Sequence, residues 1–319
     1  MTRLFSALLF GLLLTTAQGQ TSKAPVPTVA SARRSLTSVH VVEPIRVHYA
    51  VEGEHAVSTD DIDDNGLPDQ VEDVMTQTRA ALQLWMSLGF ADPLTTERYR
   101  GSSWIDIHLI SKSVLKSNGV AYDEIQYFKV PGDAEGTGSL SFQVATSVHA
   151  SENLTPAHEV FHLLQNSICY FKNRWLTEGT ARWSESALGE GGMTPGLLPG
   201  LWPPDEARMA SSIFTSSYDT SKSYWGPLLV QHGKTDKLPE ERLPGFVLEA
   251  RYVNGKPVLK DLDLTGWELI LEIFQALDAA DDEIYRQRQL SRWSEKEQFS
   301  PENDTIIHRI VQEVVARKK

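Results

Sequence analysis

The chain has 319 residues, of which 41% are hydrophobic, enough to bury the core of one large globular unit or two modest ones. Its formal net charge of -12 argues against nucleic acid and anionic membrane surfaces as partners, since both would be repelled over most of the exterior. Cys169 is the only cysteine, which excludes an intrachain disulfide, and its apolar neighbours Ile168 and Phe171 mark it as a buried small hydrophobe.

Residues 1–19 combine Arg3, an apolar run from Leu4 to Leu14 and the small-residue end Ala17-Gln18-Gly19, the pattern of a signal peptide. No later stretch reaches the ~18 apolar residues of a bilayer span. The mature protein is therefore expected to be exported, periplasmic or extracellular, without stable membrane insertion. Residues 20–40 are rich in Ser, Thr, Ala and Pro without a hydrophobic period, and read as a linker or a short pro-segment ending near Arg33-Arg34.

Globular structure is expected from Val41. Ile45 to Val51 alternates as a half-buried strand does, and Trp104 to Ile110 and Leu140 to Ala145 do the same. Between them, Val71, Val74, Met75, Leu82, Trp85 and Met86 recur at helical spacing up to the stop at Gly89. This predicts an α/β subdomain over 41–148. Residues 149–319 are expected to form the active-site helix and a helical subdomain. Its elements are the helix of the histidines, starting at Pro156, a helix from about 174 to 188, a Gly- and Pro-rich connector over 189–204, and later helices near 224–231, 267–277 and 306–316. The fold class is α+β: a small mixed sheet, then mostly helix. The strand Leu140 to Ala145, just ahead of the active-site helix, is either the sheet edge, where an extended peptide would pair with it, or a strand covered on both sides.

Asp61-Ile62-Asp63-Asp64-Asn65-Gly66-Leu67-Pro68-Asp69-Gln70-Val71-Glu72 follows the twelve-residue calcium loop at positions 1, 3, 5, 6, 9 and 12. Oxygens of Asp61, Asp63, Asn65, the Leu67 carbonyl, Asp69 and Glu72 are the expected Ca²⁺ ligands, with a structural role; the alternative is an acidic turn capping the next helix. The preceding segment is not helical, so this is an isolated loop.

The main chemical signal is His158-Glu159-Val160-Phe161-His162. Histidines four residues apart share a helix face and can share one metal ion, and Glu159 beside them can reach a metal-bound water. Thr155 suits the N-cap and Pro156 the first turn, while Ala157, Phe161, Leu164 and Ile168 form an anchoring stripe next to the stripe of His158, His162 and Gln165. A catalytic zinc takes three protein ligands and leaves a position open. Glu178, in Trp175-Leu176-Thr177-Glu178-Gly179, is the expected third. Glu185 lies two turns further on the same face, where it orients a histidine N–H, replaces Glu178 as ligand, or is merely a solvated carboxylate. Gln165 and Ile168 exclude the metzincin pattern, which needs Gly and His there. Tyr218, Tyr224 and His232 are candidate oxyanion donors.

In these segments the chain resembles a family of exported bacterial metalloproteases of the gluzincin type. The matching features are the Val47-His48-Tyr49 strand, the Asp61 to Glu72 loop running into a helix, the 157–165 motif, and Trp175, Glu178, Gly179, Ala181, Trp183 and Glu185; they span residues 41–188. The resemblance implies a zincin-like fold with zinc on His158, His162 and Glu178 and with Glu159 as general base. Fifteen residues separate His162 from Glu178, fewer than in aminopeptidase and thermolysin-like members, which keeps Glu185 in play. The expected activity is zinc-dependent hydrolysis of peptide bonds in a peptide or protein substrate. The alternatives are a catalytically silent, metal-stabilised binding protein and a zinc hydrolase of a non-peptide amide or ester.

Overall fold

The computed structural model describes residues 28–189, 201–234 and 237–318. The signal peptide expected at 1–19 and most of the connector expected at 189–204 lie outside them. Among the described residues no helix is long and apolar enough to cross a membrane.

The architecture is α+β around one five-stranded mixed sheet. Its strands are β1 (Ser38–Val42), β2 (Ile45–Tyr49), β3 (Ser102–Ile110), β4 (Gly119–Ala121) and β5 (Gly138–Ala145), in spatial order β1-β2-β3-β5-β4. The pairs β2/β3 and β3/β5 are parallel, while the flanking pairs β1/β2 and β5/β4 are antiparallel. Leu140 to Ala145, in β5, is therefore interior and not the edge. All eight residues of β5 are buried, and the edge beside the active-site helix is the three-residue β4. Segment 138–145 had the stronger alternation, but pairing order is set by the connections and not by alternation.

Residues 28–40 also depart from expectation, since they belong to the fold. Thr28 and Ser31 close a capping box on helix α1 (Val29–Arg34), and β1 pairs with β2 from Ser38. Arg33 lies over the rings of Tyr122 and Phe128, both 4.9 Å away. This end of the chain covers an unusual sheet face on which Arg46, Asp106, His108, Ser139, Ser141 and Gln143 are all buried. Asp106 neutralises Arg46 through two contacts of 2.6 and 2.8 Å, which makes that burial tolerable.

The opposite face is apolar. Ile45, Val47, Ile105, Ile107, Leu140, Phe142 and Val144 pack beneath helix α2 (Asp69–Leu88) and helix α3 (Thr155–Ile168). Gly89 ends α2 in the left-handed conformation at φ 110°, which its lack of a Cβ permits. Trp85 of α2 meets Phe161 of α3 edge-on at 5.0 Å and Trp183 of helix α4 (Arg174–Ser184) at 5.5 Å, locking three helices together. The later helices α5 (Gly226–His232), α6 (Trp267–Gln287) and α7 (Glu302–Arg317) complete the second half. Cys169 is buried, and burial raises its thiol pKa, which makes it a packing group and not a nucleophile.

Candidate metal centre

Helix α3 begins one residue earlier than expected: Leu154 occupies the cap position, and Thr155 and Pro156 stand in the first turn. Asn153 does the capping, its Oδ1 accepting from the Thr155 amide at 2.9 Å. The apolar side of α3 is consumed by the core, so His158, Glu159 and His162 face α4 and the strand β4.

Glu178 of α4 meets both histidines. Its Oε2 lies 3.2 Å from His158 Nε2 and 3.5 Å from His162 Nε2, and the two Nε2 atoms are 3.1 Å apart. A tetrahedral ion with bonds of ~2.0–2.1 Å spaces its ligand atoms about 3.3 Å apart, so the triangle has the size that such an ion requires.

The other ring nitrogens have partners of their own. Gln165 donates its amide N–H groups to the Thr177 carbonyl at 2.9 Å and to Thr180 Oγ1 at 2.6 Å, so its Oε1 must accept from His162 Nδ1, 2.7 Å away. Glu185 Oε1 accepts from His158 Nδ1 at 2.8 Å, and Arg182 holds the second Glu185 oxygen at 2.6 Å. With both Nδ1 atoms engaged in this way, both Nε2 atoms turn towards Glu178. Two ring nitrogens and a carboxylate oxygen at these distances call for a positive charge among them, a metal ion or a proton. The same surroundings raise His158: burial opposes its charge, but hydrogen bonds to Glu178 and Glu185 outweigh this and push it up to about 10, so without a metal a proton fills the role.

Glu178 and Glu185 therefore have different roles. Glu178 joins the ligand triangle, whereas Glu185, almost fully buried, orients His158 from behind. Glu159 is buried, and burial raises its carboxyl pKa although His158 and His162 pull the other way; the Ala121 amide of β4 donates to it. Gly119 is needed here, because a Cβ at that position would collide with the Glu159 carboxylate.

Of the expected oxyanion donors only Tyr218 is at the site. Its ring stands 5.7 Å from that of His158, and burial together with the nearby carboxylates Glu178 and Glu159 pushes its hydroxyl up to about 12, so it remains protonated and able to donate. Gly179 makes this placement possible. A Cβ there would strike Thr220 and Trp225, which bind the Trp175 carbonyl at 2.7 and 2.9 Å and so fix the segment that carries Tyr218. Tyr224, by contrast, is fully buried against Trp175 with its hydroxyl on His308 Nδ1 at 2.8 Å, and His232 packs against Trp202. Neither lines the cleft that holds His158 and Glu159.

The acidic loop brings Asp61, Asp63 and Asp69 together, with carboxylate oxygens within 4.8 Å of one another. Asn65 donates from its amide group to Asp63 at 3.0 Å and to Glu72 at 2.7 Å, while Leu67 takes part through its own amide on Asn65 Oδ1 at 2.8 Å. Gly66, at φ 82°, makes the turn.

Sequence reasoning missed two contributors, Gln165 as the partner of His162 and β4 as the strand against Glu159. The first has a sequence signal, since Gln165 stands three residues from His162 on one helix face. No family model matches the chain, and no curated protein or solved structure matches it.

Proposed function

We propose that the protein is an exported zinc metallopeptidase of gluzincin type with a zincin-like fold, and that His158, His162 and Glu178 are its zinc ligands. The observation that carries this reading is the convergence of two oriented Nε2 atoms and a carboxylate oxygen beside a buried glutamate that ligates nothing. A structural staple would close its fourth position with protein and would have no use for Glu159.

Zinc at this position supplies Lewis acidity, acidifying a water and polarising the substrate carbonyl. Glu159 takes the proton of the attacking water and delivers it to the leaving amine. Tyr218 donates to the carbonyl oxygen as negative charge develops on it. The outer edge of β4, next to Glu159, offers backbone pairing to an extended peptide. Glu185 and Gln165 keep both imidazoles in the ligating tautomer throughout.

The loop at 61–72 is a structural Ca²⁺ site in this reading. Asp61, Asp63 and Asp69 would hold the cation, and Glu72 in the first turn of α2 would tie that helix to the loop. The primary test is hydrolysis of a mixed peptide library by the zinc-loaded mature protein and by Glu159→Gln. Turnover by the former and none by the latter, with equal zinc content, supports the peptidase. Absence of turnover by the intact protein with zinc and calcium supplied contradicts it.

A further inference from the structure

We infer that the cleft selects substrates bearing a carboxylate, received by Lys256 and Lys260. This rests on the peptidase reading and names the chemistry of its substrate. The cleft measures about 970 Å³ and runs from His158, Glu159 and Tyr218 to the turn that carries Lys256 and Lys260. That is the upper end of the range for small-ligand sites, so a peptide bond and a flanking side chain fit together.

The turn is held in place relative to the reacting groups. Buried Tyr252 accepts at its hydroxyl from Gln77 Nε2 at 2.7 Å, and Gln77 Oε1 accepts from the Ala157 amide in the first turn of α3 at 3.0 Å. Asp73 accepts from the Val253 amide at 2.8 Å, and the Lys260 amide donates to the Ala187 carbonyl at 3.2 Å. Two lysine stems thus start from fixed points on the wall of the cleft.

The charge balance decides what they bind. Among the cations lining the cleft, Arg182 is committed to Glu185 at 2.6 Å. Lys260 has only its exposed neighbour Asp261, at 3.4 Å, and among the described residues Lys256 has no acidic partner within 4.0 Å. Apart from Glu159 and Glu185, the described carboxylate lining the cleft is Glu152. Asp261 offsets Lys260 in part, so Lys256 is the uncommitted cation on a wall that also carries Glu152. The end of α3 offers no substitute. Its Thr155, Ala157 and His158 amides already donate to Asn153, Gln77 and Leu154, and Pro156 has no amide hydrogen. A lysine recognises charge and not planar shape, so aspartate, glutamate and a chain-terminal carboxylate all qualify.

The test uses matched peptides with an acidic residue or its amide isostere beside the scissile bond, each with a free or an amidated C-terminus. Turnover is measured on the zinc-loaded protein and binding by fluorescence anisotropy on its Glu159→Gln form, in Lys256→Glu/Lys260→Glu and Lys256→Gln/Lys260→Gln backgrounds. Carboxylate peptides should be favoured by roughly tenfold in kcat/KM and in Kd, a preference that fades at high salt, disappears in the double glutamine variant and inverts in the double glutamate one. Preference that follows the free C-terminus identifies the terminal carboxylate as the ligand; preference that persists in amidated peptides identifies the acidic side chain. Equal treatment of charged and neutral peptides, or a preference unchanged in both lysine variants, overturns the inference. Because binding is read without turnover, a charge preference in Glu159→Gln alongside an inactive parent would refute the peptidase reading alone.

Discussion

Two groups of cation-seeking side chains sit at the N-terminal ends of two helices packed on each other, α2 and α3, and they differ in what already satisfies them. At α3 the Nε2 atoms of His158 and His162 face Glu178 with no backbone or side-chain amide among them, while their Nδ1 atoms are held by Glu185 and Gln165. At α2 the carboxylates are already served. Asp61 accepts from the Asn65 and Gly66 amides at 3.0 and 2.8 Å, Asp69 from the Ile62 amide at 2.9 Å, and Asn65 links Asp63 to Glu72. A group that converges without amide donors needs its cation, whereas one stitched together by its own amides is only strengthened by one. The first arrangement suits a tightly held catalytic ion, the second a graded structural one.

The largest effect that can break this contrast is on turnover. Glu159→Gln is expected to lower kcat by on the order of 10²–10⁴, measured on a cleaved peptide, with zinc stoichiometry unchanged by elemental analysis. Asp63→Asn, the matching change in the loop, should leave kcat almost untouched when calcium is present. Zinc affinity comes next. Glu178→Ala should lose the ion outright, and Glu185→Gln, which weakens the partner of His158, should cost about 10–100-fold in a competition titration. The opposite ranking would make Glu185 the ligand.

Calcium then probes the loop. At ~100 times its Kd it should stabilise the fold by about 2.7 kcal/mol in thermal unfolding, and Asp63→Asn should remove that gain while leaving zinc binding intact. The smallest effect is on pH. Burial raises the Glu159 pKa above the ordinary 4.5, and the base form is the active one. Thus kcat/KM should fall with decreasing pH through a midpoint above that value, and the limb should be unmoved by Asp63→Asn.

The candidate site was readable from sequence where geometry is local. His158, Glu159 and His162 follow from helical spacing alone, and so does the ability of Gln165 to reach His162. Which of Glu178 and Glu185 meets both Nε2 atoms was not readable, since seven residues put both on one face of α4 and its continuation; only the packing against α3 separates them. Tyr218 and Tyr224 looked alike in sequence, and what distinguishes them is the anchoring of Thr220 and Trp225 on the Trp175 carbonyl across the chain. The order of the strands was also out of reach. The edge strand β4 is too short to alternate, and β5 buries polar Ser139, Ser141 and Gln143 that a half-exposed strand would turn to water. For residues 28–40 composition suggested a linker, yet one capping box and one well-placed arginine were enough to fold them onto the sheet.

The most direct test of the central claim is zinc K-edge X-ray absorption on the protein carrying one equivalent of zinc. The account predicts four light ligands, two of them imidazole nitrogens at ~2.0–2.1 Å and the others oxygens at ~2.0–2.2 Å, with the imidazole signature halved in His162→Ala. An all-oxygen shell of six or more ligands would put the ion in the acidic loop and contradict it.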